Sequence, residues 1–437
     1  MEPNTTHRLR GTLTLVVALV ATLTVVAYKE TRPWVFGRML DLYKVPTDFM
    51  VYYRAGESLA HGEGLYDGAL YGPLPFTYPP FSGTLFRGLA AAPPEMAASF
   101  WQLACIGGLV SVILGVLVQR GYRLNTGTIM LGVVATVATL ALSPVRDSFF
   151  YGQINILLML LVALDFLRTR DRFTGIGVGL AAGMKLTPAF FIIVFLMQRR
   201  WRDAATATGT FIVTVVVGLA TVPDAWTFWS SAMFDSSRVG SDTISASQSI
   251  KGTAERLFGE GAAGLVFWAV LVCVVLALLY AAVRWATARD NQALVMSLGG
   301  VAACLVSPFS WHHHWVWLVP LAVCIVDLGQ QAARARRTRH RGADSPVTGW
   351  LRDQAVMLAT VVAIFVVMIP YCSHQISYRF SFIGQPRLLP PPLNHMWVLW
   401  GVLILFAAAM PAIIVHLRRV ASHGNRETSE TQTTPGP

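Results

Sequence analysis

Ten apolar stretches, each near the length that crosses a lipid bilayer, constrain this chain more than any other feature of its sequence. A transmembrane helix needs about 20 apolar residues. The stretches are residues 11–28, 97–118, 126–143, 150–167, 203–222, 262–285, 292–307, 311–328, 353–371 and 396–417. Of the 437 residues, 54% are hydrophobic and only 13% are charged, which is too little charge to cover a soluble protein of this size. We therefore predict an all-α polytopic membrane protein, with residues 1–420 as a single integral membrane domain.

The net charge of +11 does not indicate a nucleic-acid-binding protein. The basic residues form short clusters between apolar stretches, which is typical of cytoplasmic loops in membrane proteins. The five cysteines are scattered and form no Cys-x-x-Cys pair, so we interpret them as packing residues rather than metal ligands. Stretch 11–28 is followed by YKETRPW, which has no small-residue cleavage site, so we expect the stretch to remain as an anchor.

The flanks of a further apolar segment, residues 173–197, decide its topology. The segment lies between the basic clusters RTRDR (168–172) and RRWR (199–202), and short loops rich in Lys and Arg stay in the cytoplasm. A single straight crossing would place one cluster outside, together with the very basic stretch 334–341. We therefore predict that the segment is re-entrant or crosses as two short spans.

Residues within that segment support a break. Gly183, Lys185 and Pro188 interrupt it near its centre, and each half is too short to cross a bilayer alone. With the break, both termini are cytoplasmic and the polar end of the chain forms a disordered cytoplasmic tail (421–437). The loops predicted to lie outside are 29–96, 144–149, 223–261 and 372–395.

Two of these outer loops, 29–96 and 223–261, are long and contain aromatic and amphipathic stretches. Such stretches favour helices that lie along the membrane surface, where they would roof a site on the outer face. Ordinary solvated loops are the alternative.

Asp48 is the first candidate catalytic residue, because it lies in an aromatic stretch, KVPTDFMVYYRAG, just beyond the first span. A carboxylate that aromatic side chains partly desolvate has a raised proton affinity and can act as a general base. Alternatively, Asp48 caps the helix that begins near it, with Thr47 as a neighbouring cap candidate. Tyr52, Tyr53 and Arg54 follow on the same stretch as candidate substrate-binding residues.

Tyrosine side chains offer a flat apolar face with a polar end, which suits both a membrane interface and stacking on a sugar or an isoprenoid chain. Tyr78 in the FTYPPF stretch is a candidate for the second role, with Tyr52 and Tyr53. Lys185 is the most informative cation, since a lysine within an apolar segment must reach a polar cavity or the interface. We interpret it as a phosphate partner; extension to bulk water is the alternative.

Polar amides mark two further outer positions. Gln153 and Asn155 begin a predicted span, where they could bind a sugar hydroxyl or bond neighbouring helices. Gln248 and Lys251 lie in the outer loop 223–261 and are weaker substrate-binding candidates.

Three consecutive histidines, His312, His313 and His314, lie in the stretch SPFSWHHHWVW. Successive residues of a helix point about 100° apart, so the three imidazoles cannot all face one ion. No cysteine or carboxylate lies nearby in sequence to complete a metal site, and we predict no bound metal. One or two of the imidazoles could instead donate to a phosphate or carry a proton.

Five ordered motifs, DFMVYYRAG, FTYPPFSGTLF, GQINILLMLLVALD, GLAAGMKLTPAFF and SPFSWHHHWVW, resemble the actinobacterial polyprenyl-phosphate-mannose-dependent mannosyltransferases of glycosyltransferase family 87. The resemblance implies the GT-C fold with about 10–12 transmembrane helices. It also implies that Asp48 is the catalytic aspartate and that His313, His314 and Trp315 match the histidine motif of the family. His312 precedes that pattern and is retained as a substrate-binding candidate.

The resemblance implies the reaction as well. An α-1,2-mannosyltransferase would move mannose from polyprenyl-phosphate-mannose to a phosphatidylinositol mannoside or lipomannan-type glycolipid, on the periplasmic face of the plasma membrane and with inversion. The donor is a substrate, so no cofactor is expected, and the partners are this donor, the glycolipid acceptor and membrane lipids. The family also contains arabinofuranosyltransferases, which would use polyprenyl-phosphate-arabinose. A lipid or solute transporter is the alternative of another class, although no internal repeat favours it.

Overall fold

A computed structural model describes residues 45–240, 244, 246–339, 346–372 and 396–431. Within these residues the chain forms sixteen α-helices, which we number in chain order. They are α1 (Thr47–Ala60), α2 (Pro80–Phe86), α3 (Pro94–Gln119), α4 (Thr126–Thr139), α5 (Ser143–Tyr151), α6 (Asn155–Phe166), α7 (Ile176–Met184), α8 (Phe190–Met197), α9 (Trp201–Thr221), α10 (Ala225–Ser230), α11 (Ile250–Phe258), α12 (Ala262–Thr287), α13 (Gln292–Val306), α14 (Leu318–Arg339), α15 (Pro346–Met368) and α16 (Met396–Thr431).

Short elements connect these helices. Strands β1 (Ala69–Tyr71) and β2 (Leu74–Pro75) form an antiparallel pair in the first outer loop. The 3₁₀-helices are Leu89–Ala91, Thr187–Ala189, Ala232–Phe234, Ser236–Arg238, His312–Trp317 and Ile369–Tyr371.

Five segments in the described part of the chain are long and apolar enough to cross a membrane. They are α3, α9, α12, the combined segment His312–Ala335, and Met396–Leu417 within α16. Helices α4 and α5 would form a sixth, although they are bent by 82° at their junction. The predicted all-α membrane protein is thus confirmed, while the first predicted span, 11–28, lies outside the described residues.

Three predicted spans differ from the helices observed. Span 126–143 ends early, at Thr139, and the following α5 turns away because Pro144 starts a new helix there. Span 150–167 is reduced to the 12 residues of α6, since Gly152 adopts a left-handed conformation that ends α5. Span 292–307 becomes the 15-residue α13, shorter than the roughly 20 residues that a straight crossing needs.

The predicted break in 173–197 is confirmed. Helix α7 ends at Met184, Lys185 has an extended backbone (φ −153°, ψ 133°), and α8 follows after one 3₁₀ turn. Each of the two helices is short, with 9 and 8 residues.

Both ends of this segment lie at the same end of the helical bundle. Arg170 from the first basic cluster and Arg200 from the second each bind the buried carboxylate of Asp203, at 2.7 and 2.6 Å. The segment therefore enters and leaves on one side, as a re-entrant pair with Lys185 near its tip. A nine-residue helix is about 14 Å long, roughly half of the hydrocarbon core.

The described parts of the two long loops predicted to lie outside contain helices, α1 and α2 in the first loop and α10 and α11 in the second. Asp224 joins the two loops, because its carboxylate accepts the backbone N–H groups of Leu65 and Tyr66 at 2.6–2.9 Å. Arg238 donates to the carbonyl oxygens of Tyr66 and Phe76 at 3.2 and 3.4 Å. The two loops thus pack against each other rather than as separate solvated segments.

The C-terminal end differs from the predicted tail. Helix α16 continues to Thr431, beyond the expected start of disorder at 421, and 432–437 lie outside the described residues. Extending an existing helix fixes one residue per hydrogen bond and avoids the cost of nucleation, which accounts for a polar extension on an apolar helix.

Candidate active site

Asp48 lies at the start of α1 with its carboxylate directed to another helix junction. The helix begins at Thr47 after Pro46, which occupies the N-cap position without a side-chain cap bond. Instead of capping, the Oδ2 atom of Asp48 accepts a hydrogen bond from Nε2 of Gln153. The alternative that Asp48 serves as the helix cap is therefore wrong.

Gly152 explains why Gln153 meets Asp48. Its backbone is left-handed (φ 70°), and a Cβ built there would lie 2.7 Å from Cβ of Phe49 and 2.9 Å from Cβ of Pro46. Only glycine combines that conformation with so close an approach. Trp101 on α3 fixes the turn further, since its indole N–H donates to the Gly152 carbonyl at 2.9 Å.

Aromatic side chains form the wall behind the carboxylate. Tyr52 is one helical turn after Asp48, is fully buried, and stacks on Phe86 with ring centroids 4.8 Å apart. Its ring also contacts Trp101 and the edge of Tyr78, at 5.5 and 5.2 Å. The hydroxyl groups of Tyr52 and Tyr78 are 2.7 Å apart, and both lie within 3.4 Å of Oε1 of Gln153.

Lys185 closes the other side of the site. Its Nζ donates to Oδ1 of Asn155 at 3.1 Å and lies 2.9 Å from Nε2 of His314. It also lies 5.3 Å from the centre of the Tyr78 ring, within the range of a cation–π contact. The ammonium group therefore ends inside this cluster, and the alternative that it extends to bulk water is wrong.

These contacts form one continuous hydrogen-bonded path, which we call the amide network: Asp48, Gln153, Asn155, Lys185 and His314. Asn155 connects its two halves, because its Nδ2 lies 3.4 Å from Oε1 of Gln153 while its Oδ1 accepts from Lys185. The network joins residues up to 266 positions apart in sequence, from Asp48 to His314 (314 − 48). It places a carboxylate at one end and, at the other, a lysine beside His314.

Burial raises the pKa of Asp48 above its ordinary value, while the Gln153 hydrogen bond and the Lys185 charge lower it in part. The net direction is upward, which makes this carboxylate a better proton acceptor than one in water. Burial also raises the pKa of the Tyr52 and Tyr78 phenols, so both keep their protons and act as hydrogen-bond donors near neutral pH.

The three histidines diverge. They begin a 3₁₀-helix, in which successive side chains point about 120° apart. His312 meets the edge of Trp397 at 4.6 Å, His313 stacks near Trp311 at 6.1 Å, and His314 faces Lys185. Among the residues the structure describes, no three His, Cys, Asp or Glu side chains group as metal ligands.

Comparison with known proteins identifies the family. The sequence model of glycosyltransferase family 87 matches residues 76–308, which is 233 of the 437 residues. The chain belongs to glycosyltransferase family 87. The match includes Tyr78, Gln153, Asn155 and Lys185 of the site, whereas Asp48 and the histidines lie outside the matched range. No solved structure matches the chain.

Family 87 relatives from mycobacteria are similar over most of the chain. A polyprenol-phosphate-mannose-dependent alpha-(1-2)-phosphatidylinositol pentamannoside mannosyltransferase of Mycobacterium tuberculosis is 36% identical over 64% of this chain and 66% of its own length. A protein with the same name from Mycolicibacterium smegmatis is 35% identical over 69% of this chain and 76% of its own length. A phosphatidylinositol mannoside mannosyltransferase of Mycolicibacterium smegmatis, dependent on the same donor, is 31% identical over 72% and 78%.

Of the candidate residues of this family 87 protein outside the amide network, four make contacts elsewhere in the structure. The Tyr53 hydroxyl donates to the Ala92 carbonyl at 3.1 Å, and Arg54 forms an exposed ion pair with Glu57. Lys251 pairs with Glu255 on its own helix at 3.4 Å. Gln248 is fully buried and contacts the histidine stretch through its backbone, whose N–H donates to the Ser310 carbonyl at 2.8 Å. Their roles in substrate binding stay predictions.

Two positioning residues escaped the sequence interpretation, Gly152 and Trp101. The sequence could have indicated the role of Gly152, because a glycine just after one helix and just before the next is typical of a left-handed helix end. Trp101 had none, since one tryptophan in an apolar helix is indistinguishable from packing.

Proposed function

We propose that this protein transfers mannose from polyprenyl-phosphate-mannose to a hydroxyl of a phosphatidylinositol mannoside or lipomannan-type glycolipid, and forms an α-1,2 linkage with inversion. One observation carries the proposal: the desolvated carboxylate of Asp48 and the ammonium group of Lys185 belong to one hydrogen-bonded network, in which the amides of Gln153 and Asn155 separate them. Transfer from a phosphosugar needs these two groups, a base for the attacking hydroxyl and a cation for the departing phosphate. The names of the mycobacterial relatives support the donor and the acceptor class.

The reaction is a single displacement. Asp48 accepts the proton of the acceptor hydroxyl while that oxygen forms a bond to the anomeric carbon. The bond from that carbon to the phosphate oxygen breaks on the opposite face, and its electron pair leaves with the polyprenyl phosphate. One displacement inverts the anomeric configuration, so a β-linked donor gives an α-linked product.

Lys185 would stabilise the leaving phosphate. Its ammonium has three N–H donors, and the bonds to Asn155 and His314 use two of them. The third can donate to a phosphate oxygen, whose negative charge grows as the bond to the sugar breaks. A cation placed there stabilises the transition state more than the ground state. His314 holds the lysine in that position, and the ring of His313 contacts the ring of His314, with centroids 4.9 Å apart.

We place this site at the periplasmic face, with both termini in the cytoplasm. The re-entrant segment supports the orientation, because its two basic clusters share one end of the bundle and Lys185 projects from there toward the outer loops. No metal is required in this scheme, since the positive charge comes from Lys185. Saturating chelator should therefore leave turnover within about twofold, and loss restored by a divalent ion would contradict this part of the proposal.

Purified protein in detergent tests the proposed transfer, where transport of a substrate has no meaning. Labelled polyprenyl-phosphate-mannose is offered with phosphatidylinositol mannosides of defined length, and product linkage is read by an α-1,2-specific mannosidase. Polyprenyl-phosphate-arabinose in a parallel reaction tests the second sugar of the family. Absence of any mannosylated lipid with a folded protein would refute the proposal, and transfer of arabinose alone would replace it.

A further inference from the structure

The two amides of the site, Gln153 and Asn155, are occupied by protein partners rather than directed to an open space. We infer that Gln153 is a positioning residue that holds the Asp48 carboxylate for proton transfer, and that Asn155 locks the Gln153 amide in the orientation this requires. The inference rests on the proposed role of Asp48 as the base. It replaces the sequence interpretation in which both amides bind sugar hydroxyls.

The orientation of Asn155 follows from its two fixed partners. A lysine ammonium can only donate, and a backbone carbonyl can only accept. The side chain of Asn155 contacts one of each, Lys185 at 3.1 Å and the carbonyl oxygen of His313 at 3.0 Å. Its Oδ1 must therefore face the lysine and its Nδ2 the His313 carbonyl. That same Nδ2 lies 3.4 Å from Gln153.

The orientation of Gln153 follows in turn. With Nδ2 of Asn155 facing it, the near atom of the Gln153 amide must be the acceptor Oε1. The hydroxyl groups of Tyr52 and Tyr78 agree with this orientation. They are 2.7 Å apart, so one hydroxyl donates its proton to the other, and the second hydroxyl proton can be donated to Oε1 of Gln153. A flipped amide would set N–H against N–H at Asn155 and oxygen against oxygen at Asp48. The N–H group of Gln153 is thus the one that faces the carboxylate.

This arrangement affects the base in two ways. It holds Oδ2 of Asp48 in a hydrogen bond and so restricts rotation of the carboxylate. It also stabilises the ionised carboxylate, and so opposes the increase in the pKa of Asp48 that burial causes. Hydrogen bonds to charged groups are among the stronger ones, so loss of this bond should raise the pKa of Asp48 further.

The test compares Gln153→Met, Asn155→Leu and wild type in the pH dependence of kcat/KM. Gln153→Met keeps the length of the side chain and removes the donor, so the acid limb should move to higher pH. Asn155→Leu should move it in the same direction by less. Gln198→Met is the matched control, because it removes another buried glutamine, bonded to Thr287 and Gln292 at 2.9 Å, and should leave the limb in place.

The shape of the result separates the possible roles. Sugar binding by Gln153 would raise KM with the acid limb unmoved, and a purely structural role would lower kcat with the limb unmoved. Either result in folded protein overturns the inference. If a variant turns over too slowly, infrared titration of the protonated carboxyl band, assigned by its absence in Asp48→Asn, reports the same pKa without turnover.

That titration also distinguishes the inference from the proposed function. If wild type forms no mannosylated lipid but the Asp48 band still titrates higher in Gln153→Met, the positioning stands and the proposed transfer fails. If wild type is active and neither the acid limb nor the carboxyl band moves, the inference fails alone.

Discussion

The substitution Asp48→Asn separates proton transfer from structure at one position. The asparagine keeps the size of the side chain, and its carbonyl oxygen can still accept the hydrogen bond from Gln153. The capacity to accept a proton is lost. Loss of a general base typically costs about 10²–10⁴ in rate, which corresponds to about 3–5 kcal/mol at the transition state. We expect kcat to fall within that range while KM for the lipid donor changes little.

Stability should move in the opposite direction. The pKa of Asp48 is raised in the folded protein, so the folded state binds the proton more tightly than the unfolded state. As pH rises from the unfolded pKa through the folded pKa, the buried carboxylate ionises and the folded state loses stability. A neutral asparagine avoids that loss. Asp48→Asn should therefore melt at the same temperature as wild type or higher, and any advantage should disappear at acidic pH.

Single-turnover transfer of labelled mannose, with melting followed in the same detergent, measures both effects. Asp67→Asn is the matched control, because Asp67 is an exposed carboxylate on the same outer loop and should retain wild-type activity and stability. Near-normal transfer by folded Asp48→Asn would refute the reasoning, since another group would then have to be the base. A lower melting temperature of Asp48→Asn than of wild type at pH 7 would refute the inference that burial destabilises the ionised form of Asp48.

Three further predictions concern the geometry around the base. Gly152→Ala should lower the melting temperature and the activity, because it adds a Cβ clash to a left-handed backbone. Gly121→Ala is the control, since the backbone of Gly121 is also left-handed (φ 87°) but a Cβ there would have no atom within 4 Å. This control should lower the melting temperature and the activity by less. Lys185→Met should lower kcat by about 10²–10³ in the transfer assay, and unchanged kcat would remove the lysine from the mechanism. Cysteine placed at Asp67 should react with an impermeant thiol reagent on intact cells, whereas cysteine at Arg172 should react only after lysis; labelling of the second position from outside would reverse the orientation.

The sequence predicted those parts of the site that follow from the free-energy cost of placing certain residues in an apolar segment. A lysine in an apolar segment needs a partner, and a segment with Gly183 and Pro188 at its centre cannot continue as one helix. Both features are local, and the structure confirms the break and the buried contacts of Lys185. The period of an α-helix would also have distinguished Tyr52 from Tyr53. Tyr52 lies four residues after Asp48 and shares its face of the helix, while Tyr53 points in another direction.

The contact between Asp48 and Gln153 could not be predicted in the same way. The two residues are 105 positions apart in sequence. No local sequence pattern predicts that an amide side chain just before α6 contacts a residue of α1. The turn at Gly152, which places Gln153 beside Asp48, depends on tertiary contacts with Phe49, Pro46 and Trp101. Propensity predicts that such a junction breaks, but the direction of the following helix depends on what it packs against.

The separation of charges in the site has a chemical reason. A direct ion pair between Asp48 and Lys185 would offset the burial of both groups, but it would lower the proton affinity of the carboxylate and occupy the ammonium. The intervening amides of Gln153 and Asn155 satisfy each charged group with a neutral partner instead. The carboxylate then keeps a raised pKa and the lysine keeps one N–H for a phosphate. If the amides serve as this spacer, Gln153→Lys should form a direct pair with Asp48 and shift the acid limb of kcat/KM downward while lowering the maximal rate. An upward shift in this variant would contradict the account.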